Sequence, residues 1–327
     1  DSITATSAVA AHNLALKADG TVWSWGHNGQ GGLGDGSTDD RQTPIQVTGA
    51  TGVKALAAGL YHSLALRSDG TVLAWGSNSN GQLADASGAP VRRAPAPVAG
   101  LSGVTAIAAS YNASLALKVD GTILAWGDLG ASGNLYAPVP LGQISGVQSL
   151  AAGWFHSLAL KTDGTVWAWG SNAQGQLGDG TTSNRTTPVQ VMGLTGVKAV
   201  AAGFNHSVAI TTDGKVWTWG GNAHGQLGNK TTNAQALPQA VIDLTDAIAV
   251  AAGNEYTIAL KSDGSVWSAG DNWLGQLGDG SFIGNNRFAP VQDADQAKLF
   301  DLAPNQVKAS VPSDQVPVFY MKSEKAG

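Results

Sequence analysis

The sequence contains no cysteine among its 327 residues. Disulfides, thiolate metal ligands and cysteine nucleophiles are therefore excluded together. No apolar run approaches the roughly 20 residues that a membrane-spanning helix needs. Charged residues make up only 13% of the chain, and the formal net charge is −5. This balance argues against general binding to DNA or to anionic membranes, because such binding needs a concentrated positive field.

Glycine is abundant, with 44 residues, and hydrophobic residues supply 43% of the chain. Glycine beside valine, tryptophan and threonine predicts many short strands joined by tight turns. The chain begins at Asp1 rather than at a methionine. We interpret this start as the removal of a signal or upstream segment.

An Asp-Gly pair recurs along the chain at intervals of 50, 51, 43, 50 and 50 residues. The aspartates of these pairs are Asp19, Asp69, Asp120, Asp163, Asp213 and Asp263. The single short interval has a local cause. The step from Trp169 to Pro188 is 19 residues, whereas the equivalent step from Trp126 to Pro138 is 12. The third copy has therefore lost 7 residues from the loop within this step.

Each copy of the repeat predicts four strands. In the fifth copy the first three are predicted at 197–202, 206–211 and 216–219, and a fourth, outer strand follows Pro238. The Asp213-Gly214 pair between two of them predicts a hairpin with a type I′ turn, because glycine accepts positive φ without strain. Four short antiparallel strands that recur about every 50 residues are typical of the blades of a β-propeller.

The sequence thus predicts an all-β fold, a single β-propeller domain over residues 1–327. The predicted blades are residues 1–50, 51–101, 102–145, 146–195, 196–245 and 246–296, with a degenerate seventh at 297–327. Asp314 supports the seventh blade, since it lies 51 residues beyond Asp263. Gln315 stands where the turn glycine is expected. A six-bladed ring with an extended tail is therefore the alternative.

Three phrases recur in the copies: Ala-Ala-Gly-x-x-His-Ser-Leu-Ala-Leu, Asp-Gly-Thr-Val-Trp-Ala-Trp-Gly and Asn-x-x-Gly-Gln-Leu-Gly. They resemble the signature of the regulator-of-chromosome-condensation repeat, over residues 3 to about 292. The resemblance implies a seven-bladed propeller. It leaves the function open, because such propellers include a nucleotide-exchange factor, a plant ultraviolet photoreceptor and bacterial secreted proteins such as a β-lactamase inhibitor. With the start of the chain, the resemblance to the bacterial secreted members implies an extracellular or cell-surface bacterial protein.

Histidine and tryptophan recur at fixed positions of the repeat, and we interpret both as parts of the frame. Four histidines share one position: His12, His62, His156 and His206. A hydrogen bond to the neighbouring blade is predicted there, because a metal site would need several converging, oriented ligands. Nine tryptophans fall in the Val-Trp-x-Trp-Gly strand and are predicted to pack between blades. These are Trp23, Trp25, Trp75, Trp126, Trp167, Trp169, Trp217, Trp219 and Trp267.

The candidate site consists of the residues that vary between the constant phrases Ala-Ala-Gly and His-Ser. The chosen residues are Tyr61, Tyr111, Trp154, Phe155, Phe204, Asn254 and Glu255. As strand-to-strand connections they are expected at one end of the propeller, where their aromatic composition is that of a protein interface. The alternative is that the aromatics plug the mouth of the central shaft. The longer Gly-Gln-Leu-Gly loops are expected on the opposing side, as a second candidate face.

The predicted function is non-catalytic binding of another protein. No nucleophile–base–orienter set and no phosphate-binding loop stand out in the sequence. Loops rich in Asp and Gly, such as 34–40, are interpreted as turns rather than calcium sites. We therefore predict no catalytic residue, metal or cofactor, and neither nucleic-acid binding nor membrane insertion. Glycan binding, a β-lactamase-inhibitor-like role and guanine-nucleotide exchange are the alternatives.

Overall fold

A computed structural model of the protein describes residues 3–9, 12–130 and 133–292. All regular elements in these ranges are β-strands, and no helix capable of crossing a membrane occurs in them. The predicted seventh blade at 297–327 lies outside the described residues. The six clear copies of the repeat correspond to six four-stranded sheets, each of which pairs its strands in chain order.

The strands of the first three sheets are β1 (Ile3–Val9), β2 (His12–Lys17), β3 (Val22–Gly26), β4 (Arg41–Gln46), β5 (Val53–Ala58), β6 (His62–Arg67), β7 (Val72–Ser77), β8 (Val91–Pro97), β9 (Val104–Ala109), β10 (Ala113–Lys118), β11 (Thr122–Asp128) and β12 (Asn134–Gln143). The strands of the other three are β13 (Val147–Ala152), β14 (His156–Lys161), β15 (Val166–Gly170), β16 (Arg185–Gln190), β17 (Val197–Ala202), β18 (His206–Thr211), β19 (Val216–Gly220), β20 (Gln235–Ala240), β21 (Ala247–Ala252), β22 (Tyr256–Lys261), β23 (Val266–Gly270) and β24 (Asn285–Pro290).

The chain divides into two compact units. Among the described residues, the first unit contains β1 to β13 and Thr186–Pro188, and the second contains the remainder of β14 to β24. Inside the first unit β1 and β2 pack on β5, and β5 and β6 pack on β9. Inside the second unit β14 packs on β17, and β17 and β18 pack on β21. Consecutive sheets therefore pack against each other within each unit, as predicted for blades.

The core lies between these sheets. Trp75 of the second sheet is fully buried in one cluster with Leu14 and Val47 of the first sheet. Trp126 of the third sheet packs in the same way with Leu64 of the second. These contacts confirm the packing role predicted for tryptophan at this position. The first tryptophan of each pair differs, because Trp23 is half-buried with Lys17 Nζ 4.4 Å from its ring centroid.

The Asp-Gly hairpins do not use the predicted type I′ turn. Gly20 N donates to the Lys17 carbonyl at 2.9 Å, and φ is +80° at Gly20 but not positive at Asp19. A type I′ turn requires positive φ at both central residues, so the prediction is wrong. The turn is instead a three-residue loop that ends in a glycine bulge. Asp19 Oδ1 accepts a hydrogen bond from Thr21 N at 2.9 Å, which holds the aspartate in place.

Strand direction decides where the connections lie. We call the first-to-second strand connections the short loops, and the third-to-fourth strand connections, which carry Gly-Gln-Leu-Gly, the long loops. Because the strands alternate in direction, both kinds of loop emerge at the same end of a sheet. Ser77 N, where a long loop begins, donates to the carbonyl of Tyr61 in a short loop at 2.8 Å. The expectation that the two sets lie on opposing sides is therefore wrong.

Candidate functional site

The recurring histidines join neighbouring sheets. His62 Nε2 lies 3.0 Å from Ser114 Oγ, and that hydroxyl donates to the Gln82 carbonyl at 2.8 Å. Since the serine proton is used in this way, His62 Nε2 must be the donor of its own bond. Burial lowers the pKa of His62 to about 3, so the ring is neutral near pH 7. The predicted bond to the next blade is confirmed.

The equivalent pairs have the same geometry. In the first unit His12 Nε2 lies 2.7 Å from Ser63 Oγ. In the second unit the pairs are His156 with Ser207 at 2.9 Å and His206 with Thr257 at 3.0 Å. These imidazoles are buried and form hydrogen bonds between neighbouring sheets. They are not available at the loops as bases or metal ligands.

A buried asparagine organises each full-length long loop. Asn28 Oδ1 accepts from Leu33 N at 3.0 Å, and its amide donates to Asp35 Oδ1 at 3.1 Å. Desolvation raises the pKa of Asp35, but hydrogen bonds from Ser37 and Arg41 outweigh it and bring that pKa to about 2. The Asp35 carboxylate, which lies in the loop considered as a calcium site, is thus engaged by hydrogen bonds within that loop. Over the described part of the chain, no three His, Asp or Glu side chains are grouped to hold a metal.

The third long loop is much shorter than the others. It spans 129–133, whereas the fourth spans 171–184. This difference is the deletion predicted from the repeat spacing. Gly130, at φ +75°, lies against Phe155, because a Cβ built on this glycine would be 3.1 Å from Phe155 Cβ. A glycine is needed here both for its conformation and for this close approach.

Three predicted site residues come together beside this shortened loop, and we call them the aromatic cluster: Tyr111, Trp154 and Phe155. The rings of Tyr111 and Trp154 have centroids 4.1 Å apart, and Tyr111 and Phe155 are 6.0 Å apart. Trp154 and Phe155 meet edge to face at 6.2 Å and 89°. All three side chains are half-buried, so part of each remains accessible.

Tyr61 occupies the equivalent short loop of the second sheet, but its surroundings differ. The first long loop is full-length, and its His27 meets Tyr61 edge-on at 5.8 Å. His27 is itself held by Asp40, at 3.1 Å from Nδ1 to the carboxylate. Tyr61 is half-buried beneath this loop.

The remaining predicted residues lie in the second unit. Phe204 is half-buried, and its backbone N donates to the Asn254 carbonyl at 3.0 Å. Asn254 is exposed, and the half-buried Glu255 accepts a hydrogen bond from Gln226 of the fifth long loop. Desolvation raises the pKa of Glu255, and the charge of nearby Asp271 acts in the same direction.

One group of exposed apolar residues was not predicted as part of the site. Trp273, Leu274, Phe282 and Ile283 of the sixth long loop are 77%, 69%, 74% and 76% exposed, and we call them the sixth-loop patch. Large exposed apolar groups of this kind mark interaction surfaces. The sequence signal was available, because the same comparison between copies that selected the short-loop residues also singles out these positions.

Comparison with known proteins agrees with this architecture. The RCC1-like domain family matches residues 1–309. Prp20p of Saccharomyces cerevisiae, described with its binding to Gsp1p and histones, is similar with a TM-score of 0.78 and 24% identity over 90% of this chain and 77% of that one. Human WBSCR16 is similar with a TM-score of 0.79 and 24% identity over 89% and 82%.

The ectodomain of the Arabidopsis thaliana receptor kinase ACR4 is similar with a TM-score of 0.51 and 17% identity, over 81% of this chain and 78% of that one. At these identities the structural likeness shows the fold alone. The family match covers nearly all of the chain and confirms the resemblance drawn from the repeat phrases. The chain therefore belongs to the family of RCC1-like domains, whose fold is the β-propeller.

Proposed function

We propose that the chain is a non-catalytic module that binds a partner protein through its short loops, with the aromatic cluster as the central contact. One observation carries this proposal. The short loop that contains two adjacent aromatic residues lies next to the shortest of the long loops. Phe155 lies against Gly130 of the shortened third loop, and Trp154 meets Phe155 edge to face. Relatives of this fold bind proteins, as Prp20p does with Gsp1p, histones and Kap60.

The packing of the cluster favours binding. Each ring is in contact with the other two, with centroid separations from 4.1 to 6.2 Å. Mutually supported aromatic rings offer large apolar area, and they lose little further conformational freedom when a partner covers them. Tyr and Trp are also the residues that most often dominate the free energy of protein association.

The other short-loop residues surround this contact with a mixture of types. Tyr61 and Phe204 are half-buried aromatics, Asn254 is an exposed amide and Glu255 a half-buried carboxylate. Such a mixture of aromatic and hydrogen-bonding groups is usual for a reversible protein interface. The buried histidines serve the frame, so they do not supply a general base at these loops. Both features support binding rather than catalysis.

The test is capture of a partner by the full chain, followed by affinity measurement with the purified partner. The variant Y111A/W154A/F155A removes the cluster. Y136A is the matched control, since Tyr136 is 45% exposed on the outer strand β12 of the third sheet. We expect the triple variant to lose about thirtyfold or more in affinity, with Y136A unchanged.

Circular dichroism checks that the triple variant folds, and the single variants W154A and F155A keep the test valid if it does not. Unchanged affinity in these variants would overturn the proposal. Glycan binding, β-lactamase inhibition and nucleotide exchange remain predictions. They are tested, respectively, by a glycan array, a nitrocefin hydrolysis assay and a labelled-nucleotide release assay. Extracellular localisation is tested by recovery of the protein from the culture supernatant or the cell surface.

A further inference from the structure

The sixth-loop patch is apolar at positions where the other long loops are polar or small. Its residues Trp273, Leu274, Phe282 and Ile283 correspond in the fifth loop to Ala223, His224, Thr232 and Asn233. They correspond in the fourth loop to Ala173, Gln174, Thr182 and Ser183. The apolar side chains are therefore particular to one copy of the repeat.

The loop does not need these side chains to fold. Asn272 Oδ1 accepts from Leu277 N at 2.9 Å, and its amide donates to Asp279 Oδ1 at 3.0 Å. In the fifth loop Asn222 Oδ1 accepts from Leu227 N at 3.0 Å in the same way, without any large apolar neighbour at the loop tip. Because the same bonds form in both loops, the apolar tip has a role other than loop stability.

The two halves of the patch adjoin each other. A Cβ built on Gly275 would lie 3.5 Å from Phe282, so the phenyl ring reaches across to the residue that follows Leu274. The four exposed apolar side chains therefore belong to one loop, in which Phe282 reaches the turn that carries Trp273 and Leu274. Contiguous exposed apolar surface of this kind is unfavourable in water unless a partner covers it.

Two acidic residues adjoin the start of this loop. Asp271 precedes Trp273 by two residues, and its backbone N donates to the Glu255 carbonyl at 2.8 Å. Asp271 Oδ2 accepts from Gln276 at 2.9 Å, but its buried Oδ1 has no hydrogen-bond donor among the described residues. The Nδ1 atom of His224 lies 3.9 Å from Asp271 Oδ1.

No lysine or arginine of the described ranges forms an ion pair with Asp271 or Glu255. By contrast, the loop carboxylates of Asp35 and Asp179 are each paired with an arginine of their own repeat. The sixth-loop patch therefore adjoins two carboxylates that form no ion pair with a lysine or arginine of the described residues. A partner that supplies both an apolar and a basic side chain would complement it.

We propose that the sixth-loop patch, with Glu255 and Asp271, binds a segment of a partner protein that carries a lysine or arginine next to an apolar side chain. This inference rests on the proposed function, since it names the chemistry of a protein partner. The basic group pairs with the carboxylates and stacks on the indole of Trp273, and the apolar group covers Leu274 and Phe282.

A second copy of this chain is a poorer occupant. In a two-fold symmetric pair the same patch meets itself, which brings Glu255 and Asp271 of both copies together. Like charges opposed at a desolvated interface are destabilising. A basic partner removes this repulsion.

The experiment uses fluorescein-labelled heptapeptides as probes and fluorescence anisotropy as the readout. The basic probe is Ser-Leu-Arg-Phe-Arg-Leu-Ser. One control replaces both arginines by glutamate, and the other replaces the leucines and phenylalanine by serine. Wild-type full chain is compared with W273A/L274H/F282T/I283N, which copies the fifth loop and therefore retains a loop sequence that already folds in this protein. The variant E255Q/D271N tests the carboxylates.

We expect the wild type to bind the basic probe and neither control. The loop-copy variant is expected to lose about thirtyfold or more in affinity, and E255Q/D271N about tenfold. Binding of the basic probe should persist in Y111A/W154A/F155A, because none of these three residues is a contact of the basic probe in this inference. This last result separates the inference from the proposed function, which that triple variant tests.

Three results would overturn the inference. The first is equal affinity for the basic probe and for the control in which both arginines are replaced by glutamate, which would mean an apolar contact without charge selection. The loop-copy variant could bind the basic probe with unchanged affinity. Analytical ultracentrifugation could show self-association of the wild type that the loop-copy variant abolishes, in which case a second copy is the occupant.

Discussion

His62 and Ser114 stand one repeat apart in the chain, and the imidazole Nε2 lies 3.0 Å from the serine hydroxyl oxygen. Ser114 Oγ donates on to the Gln82 carbonyl at 2.8 Å, and the same carbonyl accepts from Trp126 Nε1 at 2.8 Å. Four residues of two neighbouring sheets therefore share one buried network. A long loop supplies the acceptor of this network, so the loop and the junction between sheets are stabilised together.

The buried histidines predict a loss of stability in weak acid. Burial lowers the pKa of His12 and His156 to about 4, and of His62 and His206 to about 3, from 6.5. Between these values and pH 6.5 the unfolded chain binds more protons than the folded one, so stability falls as the pH falls. The melting temperature should decrease progressively from about pH 6.5 to about pH 4.

The carboxylates provide the internal control for this prediction. The pKa of turn aspartates such as Asp163 is lowered to about 2 from 3.8, by hydrogen bonds from Thr165, so their contribution is lost only below about pH 4. The variant H62Q removes one titrating ring and should make the decline between pH 6.5 and 4 shallower. A melting temperature that is constant down to pH 4 would contradict the prediction.

Replacement of Ser114 by alanine should weaken the junction between the second and third sheets. The change leaves the buried donor of His62 without its acceptor and removes one donor from the Gln82 carbonyl. We expect the free energy of unfolding to fall by about 1–3 kcal/mol. Urea unfolding measures the change, with S68A as the matched control because Ser68 is exposed. Equal effects of S114A and S68A would show that the network does not stabilise the fold.

Replacement of Asn172 by alanine should unfold the fourth long loop locally. This fully buried side chain accepts from Leu177 N at 2.9 Å and donates to Asp179 Oδ1 at 3.1 Å. Without these bonds Asp179 and Arg185 lose their fixed positions, and trypsin should cleave after Arg185 much faster than in the wild type. Q174A, at an exposed position of the same loop, is the control. An unchanged cleavage rate in N172A would contradict the organising role of the asparagine.

The shortened third loop allows a matched pair of glycine substitutions. Gly130 and Gly133 have φ of +75° and +72°, so alanine at either position costs about 1–2 kcal/mol of stability. A Cβ at Gly130 would press on Phe155, whereas a Cβ at Gly133 meets nothing within 4 Å. We expect both variants to lose stability, G130A at least as much as G133A, but weaker partner binding, by about tenfold, for G130A alone. Equal affinities would show that the cluster geometry does not control binding.

The repeat and its strands could be predicted because each depends on local sequence. The strand boundaries of β17 and β18 match the predicted ranges, since runs such as Val197–Ala202 end at a glycine. The histidine and tryptophan positions could be assigned to the frame for a related reason. A residue that recurs with every copy meets the same neighbour in every copy.

Other features depended on how the strands and loops are arranged in space. The turn type was predicted wrongly because Asp19 is held by its own bond to Thr21, a preference that outweighs the Asp-Gly rule. The side on which the long loops lie was also wrong, although antiparallel strand order determines it. Antiparallel pairing of four strands in chain order requires both sets of loops at the same end of each sheet.

The sequence by itself determined the blades, the frame and the deletion in the third loop, because these follow from periodic patterns and spacing. Only the tertiary structure decided which variable residues meet. Tyr111 and Trp154 come from consecutive repeats, and their ring contact at 4.1 Å depends on the packing of neighbouring sheets. The exposure of Trp273 was settled in the same way, because solvent contact is a property of the folded surface and not of the local pattern.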